Sequence, residues 1–165
     1  MQAMDETAFL QARGVVNPWP CAFEKALLAH CCSCSLAQRQ NIAERETVAC
    51  ASAGAREQCA ALRAMLRRNS AFALKLTQVE APLPHSREMQ VECGGLLGVQ
   101  LALAPEASAS TDTRVPGAQG HPRVADVHAL VQAAQARFGA LSDLPFSAIV
   151  QSVVAYRIRR RRPEH

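Results

Sequence analysis

Apolar residues recur at helical spacing along much of the chain and alternate with polar ones in one stretch. Residues 1–16 carry only weak patterning. Asn17-Pro18-Trp19-Pro20 then opens a first predicted helix from about Pro18 to His30, since a proline in the first turn gives up an N–H that has no partner there anyway. Ser35-Leu36-Ala37-Gln38 has the form of a capping box and predicts a second helix running to about Ala53. Gly54 is suited to a left-handed cap, and a third helix from Ala55 to about Leu74 follows from the spacing of Leu62, Met65, Leu66, Asn69 and Phe72.

Pro82 and Pro84 end this region. Glu88-Met89-Gln90-Val91-Glu92-Cys93 alternates polar with apolar before Gly94-Gly95, the pattern of a half-buried strand entering a tight turn. Leu96 to Leu103 fits a returning strand, and a helix from near Gly98 fits almost as well. Beyond a Ser-, Thr-, Gly- and Pro-rich stretch, Val124, Val127, Leu130, Val131, Ala134, Phe138 and Leu141 lie on one helical face. Asp143 and Pro145 open a last helix carrying Phe146, Ile149, Val150 and Val153. The predicted fold is mainly α: a small helical bundle, a short β-hairpin near residues 88–103 and a C-terminal helical hairpin. Three segments follow: a cysteine-rich helical domain over 1–104, a flexible linker over 105–123, and a helical hairpin with a basic tail over 124–165, packed on the first.

Length and composition narrow the class. A chain of 165 residues is one domain or at most two, and 49% hydrophobic content excludes disorder throughout. With 4% aromatic residues, a β-sandwich core built on large rings is excluded as well. Charged residues interrupt every window approaching the ~18–20 apolar residues of a membrane helix. The net charge of +4 resides in the tail, in Arg157, Arg159, Arg160, Arg161 and Arg162. These arginines could follow a phosphate backbone, but no aromatic residue is interleaved to stack bases, and a solvated end is the favoured reading. A protein partner is expected before a nucleic acid. Acidic residues near the amino terminus, where an export signal is basic, point to the cytoplasm.

The candidate chemistry lies in the cysteines. Six of the seven fall between Cys21 and Cys59: Cys21, Cys31, Cys32, Cys34, Cys50 and Cys59. In a reducing compartment such a cluster reads as metal ligands, reactive thiols or small buried hydrophobes rather than a disulfide framework. Cys31 and Cys34 have the C-x2-C spacing with which two thiolates grip one metal. Fifteen residues then precede Cys50, as in a zinc pattern, but eight rather than two separate Cys50 from Cys59. Ferredoxin-type runs are absent. Thiolates offered from several packed elements need no fixed spacing, and the expectation is an iron–sulfur cluster, with zinc as the alternative, in a structural, sensory or electron-transfer role. The rival is a metal-free helical interaction module whose cysteines pack the core.

Other signals are weaker. His30 could lower a neighbouring thiol pKa, but balancing a helix dipole is its favoured role. His85, His121 and His128 form no ligand spacing and are assigned to no metal. Cys93, alone, suits core packing. Gly94-Gly95-Leu96-Leu97-Gly98 lacks the ending of a phosphate loop and reads as a turn. No acid–base constellation points to an enzyme.

Overall fold

The computed structural model describes residues 6–103 and 123–157. Helices α1 (Glu6–Val16) and α2 (Glu24–Leu28) precede an antiparallel hairpin of β1 (Ala37–Ile42) and β2 (Arg45–Cys50). Next come α3 (Ala53–Ser70) and α4 (His85–Met89), the latter continuing through a π-helical turn at Gln90–Gly94 into α5 (Gly95–Leu103). The chain closes with α6 (Val127–Phe138), a 3-10 turn (Leu141–Asp143) and α7 (Phe146–Ala155). The mainly helical class is as the pattern predicts; the two expected carboxy-terminal helices form, but they pack on α5 rather than on each other as a hairpin. The linker at 105–123, apart from Arg123, and the tail beyond Arg157 lie outside the described residues.

The β-hairpin is displaced from its expected place. Residues 35–53, expected as helix, hold the strands, paired from Ala37 with Cys50 to Ile42 with Arg45. A helix there would have no continuous apolar stripe, because Gln38, Arg39, Gln40, Asn41, Glu44, Arg45 and Glu46 occupy every side of it. The hairpin instead buries Ile42, Thr47 and Val48. Ala43 takes a positive φ of 56° in the two-residue turn. Asn17, at the end of α1, donates through Nδ2 to Thr47 Oγ1 at 3.0 Å and to the Val48 carbonyl at 2.9 Å. The Cys21 N–H also donates to Val48 O at 2.9 Å, and Pro20 bridges to Ala49. These contacts draw residues 17–21 along β2, which confines the expected 18–30 helix to the short α2.

Residues 88–103, read as strand and turn with a helix from near Gly98 as the alternative, are helical throughout. The alternation misleads because its polar members are not on a wet face: Glu88 and Glu92 are 2% and 1% exposed. Arg63 and Arg67 on α3 meet them, Arg63 Nη2 standing 3.4 Å from Glu88 and Arg67 Nη2 3.9 Å from the same carboxylate. Paired in this way, carboxylates are tolerated inside a helical core. Gly94 and Gly98 make no turn. A Cβ at Gly94 would stand 2.8 Å from Val153 Cα, and one at Gly98 3.0 Å from Ile149 Cα, so the two glycines let α7 approach the backbone.

The core runs between these layers. Phe23 and Leu27 of the α2 region, Val48, Leu62 and Leu66 of α3, Val91, Leu96 and Val99, Val131 of α6, and Ile149 and Val153 of α7 form one buried cluster. Ser52 caps α3, its hydroxyl accepting from the Ala55 N–H at 3.2 Å. Phe72, expected on the apolar stripe, lies past the end of α3 and is 97% exposed.

Candidate metal centre

Four of the predicted ligands converge. Cys21, Cys34, Cys50 and Cys59 line one enclosed cavity of about 20 Å³, with His128 and Arg56 on its border. Each arrives from a different piece of chain. Cys21 is held beside β2 by its own N–H bond to Val48. Cys50 ends β2, opposite Ala37, so hairpin register alone brings it close to Cys34 three residues earlier in the chain. Cys59 lies on α3 on the buried face that also carries Leu62 and Leu66.

Cys34 is positioned by the carboxy-terminal part. Ser33 N–H donates to Val124 O at 3.0 Å, Val127 N–H to Ser33 O at 2.9 Å, and Ser35 N–H to Asp126 Oδ1 at 3.1 Å. Asp126 also caps α6 by accepting from the His128 N–H at 3.1 Å. One carboxylate thereby fixes both the cysteine segment and the first turn of α6, and this places His128 at the cavity. Sequence spacing offers no sign of that, since the contact spans more than ninety residues from Ser35 to Asp126.

Burial dominates the electrostatics of two of these thiols. Burial pushes the Cys21 thiol up to about 12, with Cys34 and Cys50 adding to the rise. Burial likewise pushes Cys59 up to about 12, and Cys21, Cys34 and Cys50 add to it. Thiols held neutral in this way are poor nucleophiles, which disfavours thiol catalysis. Cys50 Sγ lies 3.2 Å from Ser52 O, to which it donates. Among the described residues no group of three or more His, Cys, Asp or Glu side chains is placed so that it could hold a metal ion. Metal binding by these four thiols would require their side chains to rearrange.

Two of the predicted ligands go elsewhere. Cys31 is bonded to Cys93, and a disulfide sulfur has no thiolate to offer a metal. The expectations that Cys31 ligates, that Cys93 merely packs and that disulfides play little part are corrected together. Cys32 is fully buried in the main core, its thiol pushed up to about 12 by burial, with Cys21, Glu92 and Cys34 adding to the rise and Arg123 opposing it. Cys32 does not line the four-cysteine cavity. His30 is exposed at the end of α2, with a φ of 59°.

The buried carboxylates are the second chemical feature, and their i, i+4 spacing inside an apolar stretch was the signal available for them. Glu92 Oε1 accepts from the Ala26 N–H at 3.3 Å, and its Oε2 stands 4.0 Å from Arg63 Nε. Burial pushes the Glu92 carboxyl up to about 7; Glu88 adds to the rise, while Arg63, the Ala26 N–H and Lys25 oppose it. Among the described residues no helix is long and apolar enough to cross a membrane. Comparison with protein-family models, with curated proteins and with solved structures finds no match to this chain.

Proposed function

We propose that the protein binds a metal centre through Cys21, Cys34, Cys50 and Cys59 and that the centre is structural. The observation carrying this reading is the convergence of four free thiols, from four separate stretches of chain, on one small enclosed cavity. Four thiolates without an open position are the ligand set of structural zinc. A cavity of about 20 Å³ has room for one water-sized body, which suits a single ion. Such an ion would join the start of α2, the hairpin and α3, adding metal affinity to folding stability. A cubane iron–sulfur cluster takes the same four thiolates. Its larger body suits so small a cavity less well, and we therefore favour zinc over the iron–sulfur cluster expected from the sequence.

The test is the zinc and iron content of untagged protein purified without oxygen, alongside Cys34→Ser, Cys50→Ser and Cys32→Ser. About one zinc per chain is expected. Cys34→Ser and Cys50→Ser should lose it and melt at lower temperature, and Cys32→Ser should keep it. Iron at cluster stoichiometry, lost in the same two variants, would retain the ligands and change the metal. A metal-free protein in which the serine variants act only as modest core changes would sink the proposal and leave a metal-free interaction module.

A further inference from the structure

On the other side of Cys21 from the cysteine cavity, a cleft of about 770 Å³ opens between α1, α2, β2 and α3. Its size lies within the range of small-molecule sites. Lys25, Arg45, Arg56 and Arg63 line it together with the carboxylates of Glu24, Glu46 and Glu92; Glu46 is paired with Arg39 at 2.8 Å, and Glu24 accepts from the Thr47 hydroxyl at 3.3 Å. Two of the cations are held in place. Arg45 pairs with Glu6 at 2.9 Å and lies 4.6 Å over the Phe9 ring, and Arg56 lies 4.8 Å over Trp19. Arg56 enters no ion pair among the described residues.

Deeper in, the buried Arg63 Nε has no hydrogen-bond partner and stands 4.0 Å from Glu92 Oε2. That gap separates a donor and an acceptor too far apart to satisfy each other. Glu92 sits on the π-helical turn, a distortion of the kind found at functional sites. A hydroxyl oxygen meets both needs, accepting from Arg63 Nε and donating to Glu92. The guanidinium groups suit a carboxylate or phosphate.

We propose that this cleft binds a small hydroxylated organic anion, its carboxylate or phosphate among Lys25, Arg45 and Arg56 and its hydroxyl between Arg63 and Glu92. A carboxyl that titrates near neutrality limits the repulsion such an anion meets there. The inference goes beyond the metal centre: Cys21 and Arg56 border both cavities, but the proposed anion contacts are made by Lys25, Arg45, Arg56, Arg63 and Glu92 and by no cysteine.

Titration calorimetry on the protein as purified tests this with matched probes: malate against succinate, and glycerol 3-phosphate against propyl phosphate. At least one hydroxylated probe should bind about tenfold more tightly than its unhydroxylated counterpart, a difference of about 1.4 kcal/mol. The pair showing the preference identifies the anion as carboxylate or phosphate. Lys25 and Arg45 are both exposed, so Lys25→Gln/Arg45→Gln should fold normally and weaken that binding about tenfold or more. Glu92→Gln should reduce the preference for the hydroxyl. Unchanged binding in the double variant, equal binding of matched probes, or no binding by any probe beyond that of chloride would overturn the proposal.

Discussion

Glu92 carries the clearest single-residue consequence. Its carboxyl is lifted from an ordinary 4.5 to about 7, chiefly by burial, with Arg63, Glu88 and Lys25 the charged groups acting on it. The folded state therefore holds this proton more tightly than the unfolded chain does. The Glu92 contribution favours folding most below about pH 4.5 and is lost progressively as pH rises through about 7. Denaturant unfolding across this window should show that loss superimposed on other titrations, and in Glu92→Gln the local slope should flatten. An identical pH profile in the variant would mean that Glu92 does not titrate in this range. The residue was visible in the sequence as a polar member of an alternating run. Its burial was not, because that depends on Arg63 and Arg67 arriving from another helix.

The same run shows how elements are decided by what they meet. Gly94 and Gly98 lie one helical turn apart, and α7 crosses where neither has a side chain. Gly98→Ala would place a methyl 2.9 Å from Ile149 Cγ2 and 3.0 Å from the Ile149 backbone. Overpacking of this kind should cost about 1–3 kcal/mol in urea unfolding. Gly54→Ala is the counterpart: only Ser52 Oγ, 4.0 Å away, lies near the added atom in the first turn of α3. It should stabilise the protein by about 0.5–1 kcal/mol. Equal losses in the two variants would refute the close helix contact. The hairpin was missed for a related reason, since a polar segment with few apolar anchors takes its conformation from partners such as Asn17 and Cys21.

Across the whole molecule, two long-range ties hold the cysteine segment. Residues 33–35 are stitched to 124–127 by backbone and carboxylate bonds, and the Cys31–Cys93 disulfide joins positions 62 apart to the π-helical turn. Closing a loop of that length restricts the unfolded chain, so Cys31→Ser/Cys93→Ser should lower stability by about 2–4 kcal/mol in oxidised protein. Metal content should stay unchanged, because neither residue lines the four-cysteine cavity. Loss of metal in that variant would place the disulfide pair in the centre after all.

By itself the sequence determined the helical class, the faces of α6 and α7, and the concentration of thiols in the first part of the chain. These follow from local periodicity and composition, which each segment carries within itself. Only the tertiary structure decided which four thiols share a cavity, which one is spent in a disulfide, that His128 joins them, and that two alternating glutamates are buried. Each of these depends on groups brought together across tens of residues, by strand register, by the Asp126 cap or by ion pairs from α3. No short window of sequence contains both partners.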